Sequence, residues 1–316
     1  PPVSGEHGGG DVADLLRRHD LSRRCGACAT KRVVGFVAGT VWRRGTLGTA
    51  GGCAVIEKDQ AIVLRLAPYS NTSRFALWLT REHGKVATLV KGALRPKSTF
   101  LGQFDLFYTC ELLYYARDRG GVHIARECSP RKTRNGLRAR WRACLFASYY
   151  CDLLARALPA GAAVPALFEW LDSALDELED VSAGVETVFR HEVILLDRLG
   201  FRPIFDRCAA CGAAIGGPGE RRVFSAAKGG QLCPACEPSA RDARPVAASV
   251  LRLLTGWQQA ASTEAARRVR GTVRQALLSE RLLGRFIQHH LDLNPESRRI
   301  AFSGARRPRE NVAVTA

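Results

Sequence analysis

DQAIVLRLAPYS (59–70), followed by RFALWLTREHGKVATLVKG (74–92), is the stretch that decides the fold. The run Ala61-Ile62-Val63-Leu64-Arg65-Leu66 is short, apolar and β-branched, and it ends at Pro68. Residues 75–80 form a second apolar run. His83-Gly84 then turns into 85–92, which reads as a strand. Further along, 104–115 reads as an aromatic-rich strand, and Gly120-Gly121 turns into Val122-His123-Ile124-Ala125. Short strands joined by glycine turns, with no strong helical period, predict a five-stranded β-barrel or a sandwich. Periodicity does not choose between the two.

After Pro130 the period becomes helical. Leu137, Trp141, Cys144, Leu145, Ser148, Tyr149, Asp152 and Leu153 fall near one face, and Pro159 ends the helix. Further helices are expected over 165–179, with an acidic outer face, and over 185–199, closed by Gly200. Two more are expected over 246–257 and about 264–293.

Between these helices stand Cys208, Cys211, Cys233 and Cys236, two Cys-x-x-Cys pairs separated by 21 residues. A two-residue gap lets one tight turn aim two sulfurs at one point, so two such pairs suit a tetrahedral zinc ion. Gly212 and Pro234 serve those turns. Four thiolates leave no open coordination position, so the expected Zn2+ is structural. A redox dithiol pair or inert buried thiols are the alternatives.

The chain has 316 residues, enough for two domains, and a formal net charge of +17. That charge favours a polyanionic partner, nucleic acid first and an anionic membrane second. No run of 18 apolar residues occurs, so no membrane span is expected, and the first twenty residues lack the apolar segment of a signal peptide. Eleven cysteines, seven of them at unpatterned spacings, fit a reducing cytoplasm. The sequence contains no methionine, and its first 54 residues lack sustained periodicity. The expectation is a foreign or disordered extension over 1–54, with the native start near Val55 at a non-AUG codon. The isolated Cys25-x-x-Cys28 pair within it carries no metal expectation.

Residues 59–293 resemble the RecO family of bacterial recombination mediators. The matching text includes Ala61-Ile62-Val63-Leu64-Arg65, Pro68-Tyr69, Ser73-Arg74, Leu79-Thr80-Arg81-Glu82-His83-Gly84-Lys85 and Lys91-Gly92-Ala93-Leu94-Arg95-Pro96-Lys97-Ser98. It continues with Leu199-Gly200-Phe201-Arg202-Pro203, Cys208-Ala209-Ala210-Cys211-Gly212, Phe224-Ser225, Gly229-Gly230 and Leu232-Cys233-Pro234-Ala235-Cys236. Asn71 stands where an acidic residue is frequent, and Leu94 interrupts the usual paired arginines. The resemblance implies an α+β architecture: an N-terminal OB-fold barrel over 55–130, then a helical domain over 131–305. That helical domain would carry a zinc-ribbon-like insertion at about 205–240, with a disordered tail over 306–316. It implies a non-catalytic, cytoplasmic, nucleoid-associated DNA repair protein that binds single- and double-stranded DNA and anneals complementary strands. With RecR, such a protein helps load RecA onto strands coated by single-strand-binding protein, whose acidic C-terminal tail it contacts.

Read physically, 65–142 holds sixteen basic residues against five acidic ones, a net +11 of the chain's +17. The expected DNA contacts are Arg65, Arg74, Arg81, Lys85, Lys91, Arg95, Lys97, Arg131, Lys132, Arg134 and Arg138. Tyr69 and Phe100 flank turns and are divided between base stacking and core. Phe75, Trp78 and Phe104 are assigned to the core. Arg267, Arg268, Arg270, Arg274, Arg281 and Arg285 are the candidates for the acidic tail, although helical spacing spreads them over more than one face.

No catalytic pattern appears. His191-Glu192 lacks a second histidine four residues on, no His-x-Glu accompanies Cys233-Pro234-Ala235-Cys236, and neither a P-loop nor a nucleophile elbow occurs. The acids Asp172, Asp176, Glu177, Glu179 and Asp180 read as a solubilising surface, and His289-His290 as solvent-exposed.

Overall fold

The computed structural model describes residues 55–117, 121–180, 183–215 and 222–306. The expected extension over 1–54, Cys25 and Cys28 within it, and the tail beyond Arg306 lie outside the described residues.

Five strands close a barrel: β1 (Ile56–Ser70), β2 (Ser73–Thr80), β3 (Gly84–Val90), β4 (Thr109–Tyr115) and β5 (Val122–Lys132). The order around the barrel is β1-β2-β3-β5-β4, with β3 parallel to β5 and the other pairs antiparallel. This is the Greek-key closure of an OB-fold, and it resolves the choice between barrel and sandwich. The continuous AIVL run has a simple cause. Ala61 and Val63 point into the barrel with Trp78, while Ile62 and Leu64 point out and join the core of the helical domain. Both faces of that strand are therefore buried, and alternation disappears.

Two strand limits differ from those read in the sequence. Pro68 does not end β1. It sits where β4, which pairs only with the segment 56–62, no longer flanks the strand, so its missing N–H costs no ladder bond on that side. The stretch 104–108 is a turn, because Phe107 adopts a positive φ of 71° that no strand continues. Its rings still anchor it: Phe104 and Tyr108 pack inside the barrel, and Phe107 packs among the helices.

The helical domain comprises α1 (Asn135–Ala139), α2 (Trp141–Ala157), α3 (Pro165–Glu179), α4 (Val185–Arg198), α5 (Ala248–Gln259), α6 (Thr263–Arg268), α7 (Val273–Leu291) and α8 (Glu296–Arg306). The single helix expected to end at Pro159 breaks at Arg140, whose backbone is extended. The break has a use. The Arg140 guanidinium donates to the carbonyls of Leu178, Glu179 and Asp180, capping the otherwise unpaired C-terminus of α3. The helix expected over 264–293 is likewise two helices. Thr272 and Gln275 form a capping box that restarts the chain as α7, and α8 follows Pro295, beyond the expected end.

Barrel and helices share one interface. Gly84 has a positive φ of 68°, and a Cβ there would lie 2.1 Å from the Ala162 carbonyl oxygen, so only glycine admits this approach. Between α4 and α5, a small sheet of β6 (Val223–Ser225), β7 (Gly230–Leu232) and β8 (Arg244–Pro245), ordered β7-β6-β8, carries the cysteine pairs.

Candidate nucleic-acid interface and metal centre

Most of the basic residues near the junction are held by acids of the helical domain. Arg65 pairs with Asp152, Arg81 with Glu169 at 2.7 Å, and Lys132 with Asp172 and Asp176 at 2.6 and 2.7 Å. Burial lowers the pKa of the Lys132 ammonium, but bonding to those two aspartates outweighs it and the net shift is upward. Lys85 donates to the Ala155 carbonyl at 2.7 Å in the last turn of α2. Desolvation, and then the Arg65 charge, pull its pKa down. Arg131 pairs with Glu111 at 2.7 Å. Arg138 bonds Asp105 and the Tyr108 hydroxyl, and lies 4.8 Å above the Tyr108 ring centre.

Arg134 requires a correction. The sequence reading placed it on the DNA track, yet its side chain is 1% exposed. Nε donates to Asp176 at 2.6 Å. Nη1 donates to the Phe107 carbonyl and the Thr109 hydroxyl, both at 2.8 Å. Nη2 donates to the Asp172 carbonyl at 3.1 Å and carboxylate at 2.5 Å. All five N–H donors are used, so none remains for a phosphate. Of the acids read as a solubilising surface, Asp172 and Asp176 are the counter-charges that hold Lys132, at the end of the barrel's last strand, and Arg134, while Glu177, Glu179 and Asp180 bind His191, the Gly136 N–H and Arg267 within the helical domain.

Apart from Lys85, which bonds a carbonyl, four of the expected contacts remain without a carboxylate partner among the described residues: Arg74, Lys91, Arg95 and Lys97. The fold gathers them at one end of the barrel. Gly92 N–H donates to the Ser73 hydroxyl at 3.3 Å and Leu94 N–H to the Thr72 carbonyl at 3.0 Å, so the segment after β3 folds onto the β1–β2 hairpin. Successive turns then bring Phe100 and Phe104 into the barrel, where their rings meet edge to face with centroids 6.3 Å apart. Phe100 is thus core. Tyr69, at the hairpin tip, is 50% exposed. Beside it, Arg74, Leu94, Phe100, Leu101 and Tyr108 line a shallow hollow of about 190 Å³. That Leu94 and Leu101 are exposed is not legible in the sequence, since single apolar residues in a loop carry no period. Trp78 and Phe104 are buried as expected, and Phe75 is half-buried.

At the other candidate site, the sulfurs of Cys208, Cys211, Cys233 and Cys236 all lie within 4.8 Å of one another. The Cys211 and Cys233 sulfurs are 3.8 Å apart. Two ligands on a tetrahedron with metal–sulfur bonds of about 2.3 Å would stand about 3.8 Å apart, so the cluster has the size of a metal site. Each pair is set by backbone turns. Gly212, at φ 75°, donates to the Cys208 carbonyl at 2.9 Å, and Cys236 N–H to the Cys233 carbonyl at 3.0 Å. Burial raises the Cys208 thiol pKa, but N–H groups of Cys233, Cys211 and Ala210 outweigh it and bring the value to about 6. Ile215, Val223 and Leu232 pack around Cys208 in a small core of their own.

The charged residues inside the helical domain are structural. His191 is 2% exposed between the Tyr150 hydroxyl and Glu177, at 2.9 and 2.8 Å. Glu192 takes a two-pronged bond from Arg298 of α8 at 2.7 and 3.0 Å. Of the arginines considered for an acidic tail, Arg267 pairs with Asp180 and Arg268 with Glu264, both in α6, while Arg270, Arg274, Arg281 and Arg285 are exposed. His289 is exposed, but the His290 ring bonds the Ala226 carbonyl at 2.9 Å. No helix among the described residues is long and apolar enough to cross a membrane.

The comparisons follow this division of the chain. Residues 55–134 match the family model described as Recombination protein O N terminal, and 138–299 match Recombination protein O C terminal. A DNA repair protein RecO from Myxococcus xanthus (strain DK1622) is 32% identical over 239 residues, covering 74% of this chain and 91% of the relative. One from Syntrophus aciditrophicus (strain SB) is 27% identical over 237 residues, with 74% and 91% covered. The barrel thus falls in the first matched region and the helices in the second, and the chain belongs to the RecO family.

Proposed function

We propose that this protein is a non-enzymatic DNA repair and recombination mediator that binds single- and double-stranded DNA and anneals complementary strands. With RecR, it assists RecA loading on strands coated by single-strand-binding protein, and it engages that protein's acidic C-terminal tail. The observation that carries the reading is the barrel end, where Arg74, Lys91, Arg95 and Lys97 have no carboxylate partner among the described residues and the β1–β2 hairpin exposes Tyr69. Such a surface takes phosphates as point charges and offers one ring to a base. Neutralising two strands on one protein removes the repulsion that slows their pairing. Its place of action is the cytoplasm, at the nucleoid.

In this reading Cys208, Cys211, Cys233 and Cys236 hold one zinc ion. The donor set fits: four sulfurs within 4.8 Å of one another, the Cys208 sulfur buried and accepting from the Cys233 N–H. Zinc there supplies cross-linking of the two knuckles and no chemistry, since every coordination position is taken by protein.

The test is annealing of complementary oligonucleotides coated with single-strand-binding protein, with and without this protein, across a salt series. Acceleration that fades with salt, without cleavage, supports the mediator reading. Binding without acceleration overturns it in favour of a DNA-adhesive scaffold, and metal-dependent cleavage overturns it in favour of a nuclease.

A further inference from the structure

Helix α7 carries a second basic surface, away from the barrel. Residues 274, 278, 281, 285 and 288 recur at helical spacing and fall within about 40° of one direction. All five, Arg274, Leu278, Arg281, Arg285 and Gln288, are exposed, so the structure turns this row outward as one stripe. Its opposite face is buried through Leu283, Phe286 and Ile287. No carboxylate among the described residues pairs with Arg274, Arg281 or Arg285. Arg270, just before α7, is also exposed and unpaired among them. The sequence reading dispersed these arginines over several faces. The break between α6 and α7 instead removes Arg267 and Arg268 to ion pairs of their own and leaves the rest aligned.

The stripe is also remote from the barrel end. The barrel rests on α2 and α3, α4 packs on α3, and α7 packs on α4 and α5. Packed helices lie about 8–10 Å apart, so α7 is separated from α3 by one intervening helix, with at most about 20 Å between their axes. From Arg274 to Arg285 the row runs about 16 Å along the axis. A straight row of point charges on a convex helix, interrupted only by Leu278, suits a linear polyanion rather than a peptide that needs an apolar groove.

We propose that the outward stripe of α7, Arg274, Arg281 and Arg285, is a second DNA-backbone site that holds one strand while the barrel end holds another. This rests on the DNA-annealing reading above and deepens it: one chain carries both strands without needing a second copy. The contacts are to phosphate oxygens and read no base.

The experiment is a two-strand capture. The full chain is loaded on a bead-bound single strand, and capture of a labelled, non-complementary second strand is measured against salt. The wild type should capture the second strand. Arg274→Ala, Arg281→Ala and Arg285→Ala combined should retain the first strand and capture the second only weakly, at low salt. Removing three phosphate contacts should lower the salt slope of that capture by about 2. The corresponding triple Lys variant should restore capture, since phosphate is met as charge, and the exposed positions leave the thermal midpoint unchanged. Equal capture by wild type and the triple Ala variant overturns the proposal, as does a wild type that holds one strand but never two. A triple Ala variant that keeps strand capture but loses an Asp/Glu-rich peptide assigns the stripe to a protein tail and overturns it as well. If the wild type fails to hold even the first strand, the annealing reading falls, and this inference with it.

Discussion

Arg134→Ala separates a structural cation from a DNA-binding one. The side chain is 1% exposed and makes five hydrogen bonds, to Asp176, Phe107, Thr109 and twice to Asp172. Removing one partner of a buried charge pair costs about 3–5 kcal/mol. Two facts place this site at the lower end. Asp172 keeps Lys132 and the Thr109 hydroxyl, and the Asp176 side chain is 43% exposed, so water reaches it. A loss of about 3 kcal/mol should lower the urea midpoint by roughly 1 M for a chain of this size. The effect should depend on pH. Burial pushes the Asp172 pKa up, but bonding to Lys132, Thr109 and Arg134 outweighs it and holds the carboxyl below its ordinary value. A carboxyl depressed in the folded state stabilises fully above its unfolded pKa of about 3.9, and that contribution is lost as pH falls through the folded value. The gap between wild type and variant should therefore be widest above about pH 4 and narrow in stronger acid. Below the variant's melting range, its affinity for DNA should match that of wild type. A variant as stable as wild type with DNA binding lost would refute the assignment and return Arg134 to the DNA track.

Other outcomes follow from the same geometry. Replacing Arg74, Lys91, Arg95 and Lys97 by Ala should lower the log–log salt slope of single-strand binding by about 3, from about 0.7 per phosphate contact, with little change in unfolding. Tyr69→Ala should weaken single-strand binding by about 1–3 kcal/mol and leave stability intact, whereas Phe100→Ala should cost about 3–5 kcal/mol of stability; fluorescence anisotropy and urea titration distinguish them. Metal analysis should find one zinc per chain, and Cys233→Ser with Cys236→Ser should lose it, lower the thermal midpoint and leave single-strand affinity within about twofold, because the barrel closes without the cysteine segment.

The strands of the barrel, though not their closure, were legible because they are marked by glycine turns and β-branched runs, and 165–179 because Pro165 opens that helix and its apolar residues keep one period. The misread limits have local causes. Phe107 takes a positive φ inside an aromatic run, and no residue type there advertises it. Arg140 breaks a good helical pattern because a distant helix end needs its guanidinium. For the candidate sites, the cysteine cluster could be read whole, since its ligand spacing is local. The basic surface could be read only as a total. Which of its cations meet an aspartate on α3 depends on contacts some forty residues apart, and charge counting treats Arg134 and Arg95 alike. The row on α7 became visible only once the helix break fixed which arginines share a face.

The Arg298–Glu192 bond has a consequence for the order in which the molecule is made. Glu192 is 1% exposed and is held by a residue 106 positions later. Ser297 likewise reaches back to Asp152, 145 positions earlier. The five strands close on one another, so during synthesis they can pair as soon as residue 132 clears the ribosome, while the outward face of β1 waits for the helices. The helical domain must wait for α8. Until then Glu192 has no cation to justify its burial, and the groove between α2 and α4 stays open. A nascent chain therefore spends the time needed to translate more than 150 further residues with a closed but uncovered barrel and an unfinished remainder. That interval is when the unfinished remainder most needs shelter from neighbouring chains.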